Sequence, residues 1–312
     1  MCIKSVRSFT GRLAMKTDRL KEFCLERNIK IRFNEPMSAH TSLKIGGVSD
    51  VVPYPDEKNL PEIIRMLYSE GIPYIVSGKG SNILVKESGI RGAVIFTDRM
   101  DKVIDISDDG NITVQSGCSL QKVVAISAEI GFAGMEGLTG IPGSVGGAIA
   151  GNAGSFGYEI KDIVNIINIM TAEGEMRSIS KSEAGFSYRK SNLPANSIIT
   201  RASFSFKMDE PLSVGRRIRE YLNEKRLRQP LSQPSAGCVF KNPADVPAGR
   251  LIDEAGCKGM MVGGILVSRL HANYFINSDG GSADDFLRLM DIVTMKVRER
   301  FGILLEPEIK IL

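Results

Sequence analysis

GMEGLTGIPGSVGGAIAGNAGSFG, Gly134 to Gly157, packs nine glycines into a stretch set between regular segments. Glycine has no Cβ to hold a ligand off, and it adopts left-handed backbone freely, so clustered glycines let backbone N–H groups close around an anion. A merely flexible connection has no use for that density, and the run reads as a cradle for a diphosphate. A second stretch, SGKGSN (Ser77 to Asn82), has the same character, although alone it reads as a flexible loop. Neither is a Walker A loop, because no Gly-Lys-Ser or Gly-Lys-Thr occurs. SGKGSN also lacks the third glycine of a Rossmann fingerprint, having Ile83 there.

Outward from the run, apolar spacing gives the elements. A helix from Ser119 to about Ile130 leads into it, and VNIINIMTAEGEMRSIS and SIITRASFSFK follow as three strands, the first two joined at a Glu-Gly turn. Upstream, Thr17 reads as the N-cap of a helix with Leu20, Phe23 and Cys24 on one stripe. NLPEIIRMLYSEG reads as a second helix ended by Gly71, and PYIVSG, NILV, GAVIFT, KVIDIS and NITVQSG read as strands. Downstream, the basic helix Val214 to Arg228 marks a change of character and a domain boundary. A short helix near GRLIDEAG, strands at GILVS and NYFIN, a helix capped by Ser282 with Asp285, and a strand ILLEPEIKIL complete the chain.

With 312 residues, two or three compact units are expected. Hydrophobic residues at 43% and charged residues at 24% match a globular protein without a membrane span, and no apolar run approaches the roughly 20 residues a span needs. A net charge of +4 suits a site for anionic small molecules at least as well as a nucleic-acid surface. Five cysteines with no CxxC pair, and two distant histidines, imply a reducing compartment, no disulfide framework and no metal centre. The first 16 residues are basic without an unbroken apolar centre, and they read as an unstructured extension in which Met15 is another possible start.

Chemistry-bearing residues are few. Arg189 in SYRKSN and the arginines of the basic helix are by default solvated charges, and His271 by default is structural. Glu306 and Glu308 fall on one side of the last strand if it is regular through Pro307. QPSAGCVFKNP (Gln233 to Pro243) sets Cys238 among polar groups, where it is either core filling or a thiol meant to be reached. A cation, a thiol and a carboxylate together would suit proton delivery to a carbanion, but spacing alone does not bring positions 189, 238 and 308 together.

Taken in order, NEPMSAHTSLKIGG (34–47), VSGKGSNILV (76–85), GLTGIPGSVGGAIAGNAGSFG (137–157), FSYRKSNL (186–193), QPSAGCVFKNP, AGRLIDEAGCKGMMVGGILVSRLHANYFIN and LLEPEIKI resemble the UDP-N-acetylenolpyruvoylglucosamine reductases, the MurB family. The resemblance implies an α+β fold: a p-cresol methylhydroxylase-type FAD-binding unit of two subdomains, 17–96 and 97–210, and a substrate-binding domain, 211–312, after the 1–16 extension. It implies non-covalent FAD, NADPH as reductant, hydride transfer from flavin N5 to C3 of the enolpyruvyl group and protonation at C2, giving UDP-N-acetylmuramate for peptidoglycan. A cytoplasmic monomer without nucleic-acid or membrane partners is expected.

By the same resemblance, Ser77, Gly78, Lys79, Gly80, Ser81, Asn82, Pro142, Gly143, Ser144, Gly146, Gly147, Asn152, Ala153 and Gly154 face the flavin. Arg189 steadies the enolate, Glu308 works beside it and Cys238 donates the proton. Tyr188, Arg226, Lys241, Asn242 and His271 bind the substrate. Most members carry serine where this chain has Cys238. A thiol with an ordinary pKa of about 8.5 would donate at neutral pH, be lost as thiolate at alkaline pH and be open to oxidation and alkylation. The short segment between Arg189 and the basic helix resembles the subclass without a substrate-covering insertion. Another FAD-dependent oxidoreductase of the same fold is the alternative, followed by a non-catalytic anion- or nucleic-acid-binding protein argued from the basic helix.

Overall fold

The computed structural model describes residues 17–244 and 246–312. The expected extension and its alternative start at Met15 lie outside the described residues. A helix over 17–26 precedes a four-stranded sheet in which Lys30–Pro36, Val48–Tyr54, Ile90–Phe96 and Tyr74–Ser77 lie in that spatial order. The first pair is antiparallel and the other two pairings are parallel. Leu60, Ile63, Ile64 and Leu67 form the buried stripe of the helix Leu60–Ser69 and pack with Leu20, Cys24, Val51 and Ile95. Each such side chain contributes roughly 1.5–3 kcal/mol by leaving water.

Two strands of this sheet escape apolar patterning. Lys30–Pro36 is an edge strand whose side chains are mostly exposed, so it carries no buried alternation. Val48–Tyr54 contains Pro53, which argues against an inner strand. It is nevertheless inside the sheet, with Pro53 opposite Ile31.

The second sheet is antiparallel throughout, in the order Met176–Ser180, Val164–Met170, Ile198–Ser205, Asn111–Gln115, Val103–Ser107. The helix Leu120–Ile130 ends at Gly131 in left-handed backbone and packs Leu120, Val123 and Val124 with Val114 and Phe204 of that sheet. The glycine run that follows is partly regular. It contains a 3-10 turn, Glu136–Leu138, and a six-residue helix, Val145–Ala150, capped by Ser144, whose hydroxyl accepts from Gly147 N at 3.3 Å.

The remainder holds the helix Pro211–Arg228 and a third sheet in the order Ser235–Cys238, Tyr274–Asn277, Ile265–Val267, Met261–Val262. The helix Ala283–Phe301, with the Ser282/Asp285 capping box as read, covers it with Phe286, Leu289 and Val293. The chain end departs from the reading of one regular strand. Only Lys310–Ile311 is paired as a strand, parallel to Ile83–Leu84 directly after the Ser77–Asn82 loop, while Pro307 makes an isolated bridge to Phe240. The break divides the two glutamates: Glu306 goes to the surface and Glu308 into a cavity.

Candidate functional site

A cavity of about 1060 Å³ opens where both glycine-bearing stretches meet the third sheet and the end of the helix Pro211–Arg228. Its wall requires glycine where the loops touch. A Cβ on Gly78 would sit 2.1 Å from Ser144 Oγ, and one on Gly80, whose φ is +60°, would sit 2.0 Å from the His40 carbonyl oxygen. All six residues Ser77 to Asn82 line the cavity, as do Pro142, Gly143, Ser144, Gly146, Gly147, Ala153 and Gly154. Asn152 does not line it. It is wholly buried, donates to Glu159 Oε2 and the Ser187 carbonyl, and accepts from Lys161 N, so it braces the loop from behind.

Arg189, Cys238 and Glu308 converge on this cavity. Arg189 Nε is 3.0 Å from Glu308 Oε1, and its Nη2 donates to the Gly154 carbonyl at 2.9 Å. Arg189 sits in a tight turn closed by the Ser187–Lys190 bridge, at φ +54°, a conformation uncommon for a side-chain-bearing residue and often stored at functional sites. Glu308 is fixed through its backbone: its N–H donates to the Val239 carbonyl and its carbonyl accepts from Asn82 Nδ2. Burial raises its carboxyl above the usual range while the Arg189 charge pulls it back.

Cys238 ends the strand Ser235–Cys238, opposite Tyr274 in the register. Burial, and then the Glu308 charge, push its thiol up to about 12, with the Arg189 charge opposing. This corrects the expectation of an ordinary thiol pKa: the group stays protonated through the neutral and mildly alkaline range, and its reactivity toward oxidants and alkylating agents falls with the thiolate fraction. Tyr274 in turn donates to Gln229 Oε1 at 3.0 Å.

The substrate-side expectations divide. Tyr188 and Asn242 line the cavity, and the Tyr188 hydroxyl accepts from Asn242 N at 3.3 Å. Lys241 is outside it, with its ammonium on Glu306. His271 is outside too: its ring packs edge-on against Tyr274 at 4.9 Å, Nδ1 accepts from Asn273 N, and burial lowers its pKa. Arg226 is exposed on the helix. The cation that enters is its neighbour Lys225, 2% exposed, with Nζ donating to the carbonyls of Gly137 at 3.3 Å and Thr139 at 2.5 Å. Burial, then the Arg189 charge, lowers Lys225 to about 8. Helix phase gives the signal that was missed: Val214, Ile218, Leu222 and Lys225 share one face, so a lysine stands at the end of an apolar stripe.

Two features of this wall suit a flavin dinucleotide: bare backbone from two glycine loops, and the Ser116 hydroxyl, buried beside them without a partner. Among the described residues no cluster of three or more His, Cys, Asp or Glu could hold a metal, and no helix is long and apolar enough to cross a membrane.

Residues 229–312 match the model of the UDP-N-acetylenolpyruvoylglucosamine reductase C-terminal domain, and residues 50–180 match the FAD binding domain. The UDP-N-acetylenolpyruvoylglucosamine reductase of Pelobacter propionicus is 39% identical over 279 residues, which cover 89% of this chain and 94% of that protein. The Heliobacterium modesticaldum reductase is 40% identical over 286 residues, covering 89% of each. The crystal structure of the Thermus caldophilus enzyme, MurB, aligns with a TM-score of 0.77 at 32% identity, over 91% of this chain and 98% of that one. With that identity over nearly the whole length of both proteins, and the α+β FAD-binding architecture shared, the chain belongs to the UDP-N-acetylenolpyruvoylglucosamine reductase family.

Proposed function

We propose that this chain is an FAD-dependent, NADPH-consuming oxidoreductase that reduces UDP-N-acetylenolpyruvoylglucosamine to UDP-N-acetylmuramate for peptidoglycan. The observation that carries the reading is the meeting of Arg189, Cys238 and Glu308 at a cavity that is also lined by the two glycine loops, with Arg189 on the Gly154 carbonyl and Glu308 held by Asn82. FAD, held by the Ser77–Asn82 and Pro142–Gly147 backbone, supplies hydride transfer from NADPH to the enolpyruvyl carbons when bound.

The chain's own residues supply the rest. The Arg189 guanidinium offers parallel N–H donors to a carboxylate or enolate oxygen, geometry that a single ammonium lacks. Glu308 holds that guanidinium in place, and its charge adds to the burial that keeps the neighbouring thiol protonated. Cys238 holds one proton at Sγ, ready for C2. A group of pKa about 12 gives it up readily to a carbanionic carbon and keeps it at pH 7. Lys225, with Tyr188 and Asn242, lies where the anionic nucleotide would enter. The division at 17–96, 97–210 and 211–312, with the third part completing the substrate side, and a cytoplasmic monomer belong to the same reading.

The test is direct. Purified protein should be yellow with a flavin spectrum, and should oxidise NADPH stoichiometrically with the enolpyruvyl nucleotide. Colourless protein that takes up no FAD would leave the anion-binding alternative. Flavin reduction without turnover of this nucleotide would leave a different flavoenzyme.

A further inference from the structure

Among the described residues one buried side-chain oxygen or nitrogen has no hydrogen-bond partner, and it is Ser116 Oγ. Ser116 follows the strand Asn111–Gln115 and is 1% exposed. Its main chain is fully engaged, with N donating to the Thr200 carbonyl at 2.9 Å and the carbonyl accepting from Gly146 N at 2.7 Å. The hydroxyl is thus the residue's one unspent polar group. A buried hydroxyl without a partner costs of the order of a lost hydrogen bond, so an orphan of this kind points to a partner the bare chain does not supply.

Its location says which partner. Ser116 is on the cavity wall where the two glycine stretches come together: its Cβ lies 3.0 Å from the position a Cβ on Gly146 would take. On the other side of that junction, Ser144 Oγ and Thr97 Oγ1 flank Gly78. Three hydroxyls and glycine backbone without Cβ atoms come together there, with Lys79 of the same loop on the cavity wall, which is the chemistry of a phosphate-oxygen site. We propose that the Ser116 hydroxyl donates a hydrogen bond to a diphosphate oxygen of the bound flavin dinucleotide, making Ser116 a cofactor-binding residue of this chain. The proposal rests on the FAD reading above.

The experiment compares wild type with Ser116→Ala. Flavin-stripped protein of each is titrated with FAD and with riboflavin, which lacks phosphate, and is melted with and without FAD. A hydrogen bond to a charged oxygen predicts FAD binding weakened on the order of tenfold to a hundredfold in the variant, with riboflavin affinity unchanged. The melting temperatures should diverge in sign. Without FAD the variant should melt at the same temperature as wild type or higher, because an unsatisfied group has been removed; with FAD it should melt lower. Equal FAD affinity would overturn the proposal and leave a trapped water as the hydroxyl's partner. A matching loss for riboflavin, or a lower melting temperature without flavin, would also overturn it, by showing contact with the ring system or a purely structural role. Wild-type protein that takes up no FAD would instead strike down the flavin reading, and this assignment with it.

Discussion

The Arg189 guanidinium lies 3.0 Å from the Glu308 carboxylate, joining a turn between the second-sheet strands Met176–Ser180 and Ile198–Ser205 to the returning C-terminal segment. Neither residue reaches the cavity by regular structure. Arg189 is in left-handed backbone, and Glu308 follows an isolated bridge at Pro307. The pair therefore depends on the surrounding contacts, and its chemistry depends on the shape of the guanidinium.

Replacing Arg189 by Lys should lower turnover on the order of a hundredfold or more while moving the melting temperature little, because an ammonium keeps the charge and loses the planar fork. Stopped-flow measurement of flavin reoxidation by the enolpyruvyl nucleotide checks this. Reoxidation at the wild-type rate would remove Arg189 from the reaction.

Lys225 makes a pH-dependent prediction. Its pKa, lowered to about 8, means the ammonium is charged at pH 7 and is lost as pH rises through that value. If the charge draws in the anionic nucleotide, kcat/KM should fall above about pH 8. Lys225→Arg should flatten that limb because a guanidinium stays charged, and Lys225→Met should be low at every pH. The group also affects stability. Its folded pKa lies below the unfolded one, so the unfolded chain binds the proton more tightly, and stability from this site should rise between about pH 8 and the ordinary lysine range.

Glu136 sets the loop that holds Lys225. It is 2% exposed, accepts from Gly134 N at 2.7 Å and takes Arg217 Nε and Nη2 on Oε1 at 2.9 and 2.7 Å. Removing one partner of such a pair costs about 3 kcal/mol when the other is left buried, and less here because Arg217 keeps Asp209. Glu136→Ala should therefore lower the melting temperature by several degrees and raise KM more than it lowers kcat. An unchanged KM would separate this loop from binding.

Legibility in the sequence followed the physics of each signal. The buried stripes of Leu60–Ser69 and Ala283–Phe301 have a helical period and were readable. Lys30–Pro36 is exposed at a sheet edge and shows no period at all. The glycine run declared a ligand wall but concealed the helix Val145–Ala150, because two of its six residues, Gly146 and Gly147, are poor helix formers. At the site, Arg189, Cys238 and Glu308 were found through motif resemblance, and only the fold could bring them together. Arg226 and Lys241 do not line the cavity, and adjacent charges look alike in sequence: one residue along the helix separates exposed Arg226 from buried Lys225, and the Lys241 ammonium is on Glu306.

FAD should leave the protein intact on denaturation. Neither histidine and none of the five cysteines falls within the two glycine stretches that line the cavity. Ultrafiltration of unfolded protein should pass all of the flavin absorbance, and colour retained with the chain would show a covalent bond.

The central claim is that the neutral Cys238 thiol delivers a proton in the second half of the reaction, and the decisive measurement is single-turnover flavin reoxidation by UDP-N-acetylenolpyruvoylglucosamine in Cys238→Ala. The account predicts flavin reduction by NADPH near the wild-type rate and reoxidation slowed on the order of a hundredfold to ten-thousandfold, with Cys238→Ser recovering much of the loss. It also predicts no alkaline limb from Cys238 below about pH 10 in the wild type, since the thiol is pushed up to about 12. Reoxidation of the alanine variant at the wild-type rate would contradict the account and return Cys238 to packing.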